Sequence, residues 1–488
     1  MARRTVSSGT SASPDEGTHR EALEGALLKE LTPPDSLADR LGAVMREAVA
    51  AVERTARSLH FPPVRVLVAG SAARGTYLPG NFDIDLFVLF PPEVHREDLV
   101  EMGLRLGAAV LTNPQKKYAE HPYLRGTFGE FPCEVVPGYA VSDGAHPMTA
   151  VDRTPFHQEY LLQQHTLETR GQVRLLKQFL KGIRVYGAEV ATEGFSGYLT
   201  ELLVLRAGSF GKVLSEASRW TVPMRLAPAG SEPAAETTAA LVLADPVDPH
   251  RNVAAAVSSR NLALFILASR EYLLYPTRDF FFPNLPPSFS REEAREMLTR
   301  RGSTVAALRF PVPGLVPDVL VPQLRRSERS LSSRLAEGGF GVLGTSSAVK
   351  DDQAVILVEC REATIGPVRV HEGPPIGVGN THAFLERWGK IPVIAGPYVS
   401  EDGRLMVEVE EEDRGLIERV RCLLPHLAMG RDLRPVIEKE GQVVLLEEVF
   451  DDPPVAGALR GLWRKGLPWV QGSSRRAEVE EQRPETEP

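Results

Sequence analysis

Cysteine and long apolar segments are both scarce in this chain. Its 488 residues include three cysteines, Cys133, Cys360 and Cys422, which are too few and too widely spaced for a disulfide framework or a zinc site. No apolar run approaches the roughly 20 residues that are needed to cross a bilayer. The arginines close to the N-terminus are not followed by an apolar stretch, which argues against a secretory signal. These absences predict a cytoplasmic protein without a membrane partner.

The charge balance is acidic, with a net charge of −8 at pH 7. An acidic total argues mildly against a nucleic-acid partner, although binding depends on local patches rather than on the sum. One basic patch repeats at helical spacing, so that a helix would carry it as a single stripe. The basic stripe consists of Arg170, Arg174, Lys177, Lys181 and Arg184. Two interpretations are equally supported, a phosphate-facing surface and an ordinary solvated helix face.

The length is sufficient for three or four domains. The composition, 43% hydrophobic and 25% charged, is typical of a soluble globular protein. Strand-like and helix-like patterns predict an α+β multidomain fold with a helical region in the middle. The expected divisions are a disordered leader at 1–28, a mixed sheet with helices at 29–150, a helical region at 151–276, an α+β region at 277–375, a second α+β region at 376–470 and a disordered end at 471–488.

The segment GSAARGTYLPGNFDIDLFVLF, residues 70–90, is the most informative part of the chain. Its apolar end predicts a buried strand on which Asp83 and Asp85 project from the same face. Two neighbouring carboxylates repel each other, and divalent metal ions both remove this repulsion and hold a nucleotide triphosphate. A preceding strand ends at a Gly-Ser turn, where the Ser71 hydroxyl and Arg74 can face phosphate oxygens. The alternative is a solvated acidic pair at a strand edge.

A third acidic residue, Glu134, lies in another apolar segment. The pattern predicts a hairpin with strands at 124–128 and 131–136, joined by a Gly-Glu turn. A lone acid in an apolar strand is unfavourable unless it is paired, solvated or bound to a cation. Glu134 is therefore a candidate third metal ligand, and the alternative is an exposed position on an edge strand.

Several segments, taken in order, resemble the archaeal-type (class I) CCA-adding enzymes, which are tRNA nucleotidyltransferases of the DNA polymerase beta-like superfamily. The segments are GSAARGTYLPGNFDIDLFVLF, KYAEHPY, CEVVPGY, RTPFHQEY, KGIRVYGAE, GFSGYLTELL, GSF and DPVDPHRNVAAA. The resemblance implies that the four ordered regions are a nucleotidyltransferase head, a helical neck, a body and a tail, with catalysis in the cleft between head and neck.

The resemblance also implies roles for individual residues. The matched positions are Ser71 and Arg74 for nucleotide phosphates, Asp83, Asp85 and Glu134 for two magnesium ions, His157, Lys177 and Tyr186 for ATP and CTP, and Arg251 for reading the incoming base. One position departs from the family, which commonly has Asp where this chain has Glu134. The extra methylene moves the carboxylate by about an ångström, and a displacement of that size in a catalytic site can lower the rate roughly a hundredfold.

The residues by themselves leave other interpretations open. His157 could be a partly buried histidine near a helix start, and Tyr186 could cap a helix. Arg251 could form a structural pair with Asp245 or Asp248.

The activity that the resemblance implies is addition of C, C and A to the 3′ end of tRNA. CTP and ATP are the implied substrates, no template is used, and pyrophosphate is released through two-metal nucleotidyl transfer. The competing hypotheses are a poly(A) polymerase or another beta-like nucleotidyltransferase with the same head, and a non-catalytic RNA-binding protein. The sequence does not decide whether the chain forms a homodimer.

Overall fold

The computed structural model describes residues 14–118, 121–226, 238–410 and 414–470. These residues form two compact units. The first contains the described residues up to 285 together with 467–470, and the second is Pro286–Gly466. The described residues contain no helix that combines the length and the apolar character required to cross a membrane.

The first unit opens with two helices and a mixed five-stranded sheet. The elements are α1 (Pro14–Leu31), α2 (Asp35–Ser58), β1 (Arg65–Ala69), α3 (Gly70–Arg74), β2 (Ile84–Phe90), α4 (Arg96–Val110), β3 (Thr112–Tyr118), β4 (Pro122–Phe128) and β5 (Phe131–Tyr139). The strand order is β1-β2-β5-β4-β3. Strands β2 and β5 run parallel, and the other neighbours are antiparallel. This sheet confirms the predicted mixed architecture.

The first residues of β2 alternate between a completely buried face and a partly buried face, as expected for a strand. Ile84, Leu86 and Val88 are completely buried in the core that α2 and α4 cover. Asp85 and Phe87 alternate with them and therefore point to the opposite face. The carboxylate of Asp85 thus projects from a rigid central strand rather than from a loop.

A helical region follows the sheet, as predicted. It contains α5 (Thr154–Gln164), α6 (Leu167–Gly182), α7 (Gly197–Ala207), α8 (Phe210–Ala217), two short paired strands, β6 (Met224–Leu226) and β7 (Leu241–Leu243), and α9 (Ser259–Leu274). Short 3-10 turns lie at Ala150–Arg153 and Arg278–Phe280. Phe179 of α6 packs against five aromatic rings at the centre of this core, those of Phe210, Phe265, Tyr272, Phe280 and Phe281.

Helix α1 lies partly in the region that the sequence predicted to be a disordered leader. The sequence predicted disorder over residues 1–28, but the helix occupies the second half of that range. Leu27 and Leu31 are buried in the same core as α6, and Gly171 leaves room for Leu28, because a Cβ there would lie 2.9 Å from Leu28 Cδ1. The apolar spacing of these leucines stabilises the helix through packing. Residues 1–13 and the predicted disordered end at 471–488 lie outside the described residues.

The second unit contains two sheets. Its elements are α10 (Arg291–Arg301), β8 (Thr304–Pro311), α11 (Pro317–Glu337), β9 (Val342–Lys350), β10 (Gln353–Cys360), β11 (Val368–Pro375), α12 (Thr381–Trp388), β12 (Ala395–Val399), β13 (Arg404–Glu410), α13 (Leu416–Leu423), a 3-10 turn (Leu424–His426), α14 (Leu433–Glu440), β14 (Gln442–Leu445), α15 (Leu446–Val449) and α16 (Val455–Trp463). The sheets have the orders β14-β8-β10-β9 and β11-β13-β12.

The border expected between residues 375 and 376 does not match this architecture. Strand β11 ends at residue 375, and its partner β13 lies on the other side of the expected border. Strand β14 returns to pair with β8. The smaller sheet is therefore an insertion between two parts of the larger one, because β14, which completes the larger sheet, follows the smaller sheet in the chain.

Candidate active site

The Gly-Ser turn joins β1 to α3 beside the carboxylate of Asp85. Ala69 at the end of β1 pairs with Asp85 of β2. Gly70 has a φ of +74°, and a Cβ at this position would overlap Asp85 Oδ2. Glycine is thus required both for the left-handed backbone and for the close approach of the carboxylate. Ser71 follows in the first turn of α3.

Three carboxylates lie near one another at this end of the sheet. Asp85 is directly opposite Glu134 in the parallel register of β2 and β5, and Asp83 immediately precedes β2. Burial, together with the charges of Glu134 and Asp83, raises the pKa of Asp85 to about 7. Burial, with the charge of Asp83, also raises the pKa of Glu134. The site therefore concentrates negative charge that its surroundings compensate only in part.

These carboxylates do not form a complete metal site by themselves. In the part of the chain that the structure describes, no three His, Cys, Asp or Glu side chains are arranged as a metal-holding group. The sequence predicted that Asp83, Asp85 and Glu134 meet at one point, and the structure brings them close without that convergence. Arg125 accounts for the separation of these carboxylates. Its Nη2 lies 2.7 Å from Asp83 Oδ1, and its Nε lies 3.6 Å from Glu134 Oε1. The donor chemistry nevertheless fits a divalent cation, which prefers carboxylate oxygens.

Arg125 is a site residue that the sequence reasoning missed. It lies on β4 and pairs in register with Glu134 on β5. The signal was present in the predicted hairpin, because counting back from the Gly129-Glu130 turn places residue 125 opposite residue 134.

A buried cluster around Glu201 contains two of the residues predicted to bind nucleotides, Arg74 and Lys177. Glu201 of α7 accepts hydrogen bonds from Arg74 Nε at 2.8 Å and Nη2 at 3.0 Å. It also accepts from Lys177 Nζ at 3.3 Å. Thr76 Oγ1 lies 2.9 Å from Glu201 Oε1, and His165 Nε2 lies 2.9 Å from Glu201 Oε2. Glu201 and these four partners form the Glu201 cluster.

The charges within the Glu201 cluster stabilise one another. Burial alone would raise the pKa of Glu201, but Lys177 and Arg74 hold it well below its usual range. Burial lowers the pKa of Lys177, and Glu201 opposes that shift. Arg74 and Lys177 therefore lie in a buried ion cluster and not on an open surface. Glu201 was also missed, although a lone acid inside the apolar helix GYLTELLVL was a usable signal.

Two other members of the basic stripe, Arg174 and Lys181, contact the loop that follows the Gly-Ser turn. Arg174 donates to the backbone oxygens of Gly75 at 2.6 Å and Tyr77 at 3.3 Å. Lys181 donates to the side chain of Asn81. A solvated helix face is therefore the wrong interpretation for the centre of the stripe, because its side chains are committed to contacts within the first unit. The apolar face of α6 is buried as predicted, at Val173, Leu176, Leu180 and Ile183.

Tyr186 lies beyond the end of α6, whose C-cap is Ile183, so it does not cap that helix. Burial raises its pKa to about 12. The Lys181 ammonium lies over its ring, 5.6 Å from the centroid. Both residues line a cavity of about 470 Å³ together with Arg184, Gly187, Glu189 and Thr192.

A second buried carboxylate, Asp245, joins His157 to Arg251. His157 Nε2 lies 2.8 Å from Asp245 Oδ2, and Arg251 Nη1 donates to the same oxygen at 2.7 Å. Tyr198 donates to Oδ1 at 2.9 Å and stacks on the His157 ring, with centroids 4.1 Å apart. Burial would raise the pKa of Asp245, but the hydrogen bond from His157 and the other donors lower it to about 2. The structural pair of Arg251 with Asp245, one of the open interpretations, is thus present.

A mixed sheet that carries paired carboxylates beside a Gly-Ser turn, joined to a helical region, defines a nucleotidyltransferase. Family profiles agree along the chain: "Nucleotidyltransferase domain" matches residues 52–157, "tRNA nucleotidyltransferase, second domain" matches 171–282, and "CCA-adding enzyme, C-terminal domain" matches 301–445.

Curated relatives extend this result over most of the chain. The CCA-adding enzyme of Haloarcula marismortui is 37% identical over 469 residues, covering 89% of this chain and 99% of the relative. That of Halobacterium salinarum is 41% identical over 367 residues, covering 75% and 80%. That of Methanosarcina mazei is 36% identical over 437 residues, covering 88% and 95%. The chain belongs to the CCA-adding enzyme family. It is accordingly an enzyme of the tRNA nucleotidyltransferase class, which generally uses a divalent metal ion.

Proposed function

We propose that the chain rebuilds the 3′ end of tRNA by adding C, C and A in turn from CTP and ATP, with release of pyrophosphate and without a template. The observation that carries the proposal is the arrangement of Asp83, Asp85 and Glu134 beside the Gly70–Ser71 turn at one end of the sheet. Membership of the CCA-adding enzyme family supports the same reaction.

Asp83, Asp85 and Glu134 are proposed to hold two magnesium ions. The pKa of Asp85 is raised because its carboxylate is buried and lies near the charges of Glu134 and Asp83. A divalent cation would neutralise this negative charge. When bound, such ions lower the pKa of an attacking 3′-hydroxyl and neutralise the leaving pyrophosphate. The three side chains supply charge and position, so no protein nucleophile is required.

The Glu201 cluster is proposed to stabilise the bound triphosphate through its positive charge. Lys177 Nζ donates to Thr76 O at 3.0 Å, and Arg74 occupies the last position of α3. Two cations, Arg74 and Lys177, against one carboxylate leave a net positive charge in the cluster, which favours a polyanionic substrate. Ser71 is proposed to contact the phosphates directly.

His157, Tyr186 and Arg251 are proposed to contact the rest of the nucleotide. The cavity beside Tyr186 offers space for a sugar or a base. The Arg251 side chain is 39% exposed although one of its nitrogens binds Asp245. Its remaining donors suit the acceptor edges of cytosine and adenine.

The second unit is proposed to bind the acceptor stem of tRNA by recognising the backbone and shape of the RNA rather than its sequence.

We also propose a cytoplasmic location. Homodimer formation is a further hypothesis, which light scattering of the purified chain would test.

The decisive experiment incubates the purified chain with tRNA that lacks its last three nucleotides, magnesium, CTP and ATP. The expected product gains two C residues before a single A. Long tails from ATP alone would instead favour a poly(A) polymerase, and an absence of incorporation would favour a non-catalytic RNA-binding protein.

Asp85→Asn tests the site itself. We expect turnover to fall by on the order of a thousandfold, because the metal-holding charge is lost, while tRNA affinity stays within about twofold. Asp143→Asn is the matched control, since the Asp143 side chain is 51% exposed and pairs with His146. Turnover of the Asp85→Asn variant within tenfold of the unmodified chain would contradict the assignment.

A further inference from the structure

Arg125 contacts two members of the carboxylate group in the candidate metal site. Its Nη2 donates to Asp83 Oδ1 at 2.7 Å, and its Nε lies 3.6 Å from Glu134 Oε1. The antiparallel pairing of β4 with β5 places Arg125 directly opposite Glu134. A single guanidinium thus contacts two of the three carboxylates that are proposed to hold metal.

The environment of Arg125 differs from that of the buried arginine in the same site. The Arg125 side chain is 46% exposed, whereas that of Arg74 is 9% exposed and its partner Glu201 is completely buried. A half-exposed ion pair contributes little free energy because water solvates both charges when it opens. Breaking a buried pair is far less favourable. Arg125 can therefore leave its carboxylates, while Arg74 stays in place.

We propose that Arg125 is a displaceable counter-cation, which pairs with Asp83 and Glu134 until a divalent metal ion binds and displaces it. The inference rests on the metal site of the proposed function. A guanidinium and a metal ion compete for the same carboxylate oxygens, so the arginine lowers the affinity of the free enzyme for metal. Lys117 also acts on Glu134 electrostatically, but the contacts with both carboxylates belong to Arg125.

This competition has a functional consequence. A nucleotide triphosphate brings its own negative charge, which offsets the arginine and favours entry of the metal together with the nucleotide. The displaced guanidinium also becomes available to phosphate oxygens, for which its planar fork is suited. Arg125 thereby links metal occupancy to the presence of substrate.

The test measures Mn²⁺ binding to the full chain by electron paramagnetic resonance, without nucleotide and at fixed ionic strength. Arg125→Gln removes the competing charge, so we expect Kd for Mn²⁺ to decrease by on the order of tenfold. An unchanged or larger Kd would overturn the proposal. Thermal unfolding gives a second measurement, since Mn²⁺ should raise Tm more in Arg125→Gln than in the unmodified chain.

Two further variants separate local competition from general electrostatics. Arg125→Lys keeps the charge, and its Kd should stay within about threefold of the unmodified chain. Lys116→Gln removes an equal charge from the neighbouring strand, where the ammonium lies over the Tyr118 ring at 5.3 Å. Its Kd should change by less than about twofold. An equal decrease of Kd in Lys116→Gln and Arg125→Gln would contradict a specific role for Arg125.

Failure of this inference can be distinguished from failure of the proposed function. If the unmodified chain binds Mn²⁺ and completes tRNA while Arg125→Gln leaves Kd unchanged, then only the counter-cation role is wrong. If the unmodified chain neither binds Mn²⁺ nor completes tRNA, the metal site itself is wrong and the inference falls with it.

Discussion

Two buried carboxylates of the first unit, Glu201 and Asp245, each collect several hydrogen-bond donors. Each accepts hydrogen bonds from residues that are distant in sequence, and each has its pKa lowered by those donors. Four of the residues predicted to bind nucleotides, Arg74, Lys177, His157 and Arg251, contact one or the other. The site is therefore preorganised by acids that make no proposed contact with substrate.

Glu201→Gln tests the first of these carboxylates. The variant leaves the buried charges of Arg74 and Lys177 without a counter-ion, so we expect the free energy of unfolding to decrease by about 3 to 5 kcal/mol. Urea unfolding at pH 7 measures the change.

Glu216→Gln is the control for this prediction. It breaks the ion pair with Arg206, in which the two side chains are 40% and 29% exposed, and should lower the free energy of unfolding by less than about 1 kcal/mol. Equal losses in the two variants would show that burial of Glu201 has no special importance.

Asp245→Asn should make stability depend on pH in a defined direction. Because the folded pKa of Asp245 is about 2, below its ordinary value of 3.8, its ionised form stabilises the fold above pH 4 by about 2 kcal/mol. This contribution disappears as pH falls from about 4 towards 2. The difference in unfolding free energy between the unmodified chain and the variant should therefore be largest near pH 7 and shrink below pH 4. A difference that grows on acidification would contradict the assigned pKa.

At the scale of elements, the junction of β1 and α3 leaves space for the Asp85 carboxylate of β2, because the residue at that junction is Gly70. Gly70→Ala introduces a Cβ that overlaps Asp85 Oδ2, so the carboxylate must move. A shift of about 1 Å in a catalytic group lowers the rate by roughly a hundredfold. Steady-state tRNA completion measures this loss.

Gly80→Ala provides a closely matched control. Gly80 has a φ of +70°, but no heavy atom lies within 4 Å of a Cβ built there. Both variants should lose about 1 kcal/mol of stability through backbone strain, and only Gly70→Ala should lose activity. Similar rates for the two variants would remove Asp85 displacement as the cause.

Helix α6 illustrates how much an element's own sequence can predict. Its apolar residues are buried, as the spacing indicates, and its basic residues do share one side. The spacing does not identify the partners of those basic residues, because any acidic or carbonyl oxygen of suitable position satisfies a cation. In the fold, the partners are Glu201 and the loop at 75–81.

At the scale of the whole molecule, the second unit is contiguous in sequence and has hydrophobic cores of its own. We therefore expect a fragment of residues 286–466 to fold alone and to unfold in urea with a single cooperative transition followed by circular dichroism.

A shorter fragment of residues 286–440 is the control. It lacks β14, which pairs with β8, and α16, whose Leu459 and Leu462 are buried. This fragment should show no cooperative transition. Cooperative unfolding of the short fragment, or its absence in the long one, would contradict the division of the chain.

The sequence by itself determined the local elements of the candidate site. The Gly-Ser turn, the strand that follows Asp83 and the hairpin that carries Glu134 all have short-range signatures, namely turn residues and an apolar period that burial on one face imposes. The segments that resemble CCA-adding enzymes also identified the family, because they are long and occur in order.

Only the tertiary structure decided which charges meet. Arg74 and Glu201 are separated by 127 positions, and Arg153 and Asp248 by 95. The energy of an ion pair depends on distance and burial in space, and neither quantity is encoded in the spacing of residues along one element. For the same reason the grouping of Asp83, Asp85 and Glu134 as metal ligands stays a prediction, and the contact of Arg125 with Asp83 and Glu134 emerged only from the folded sheet.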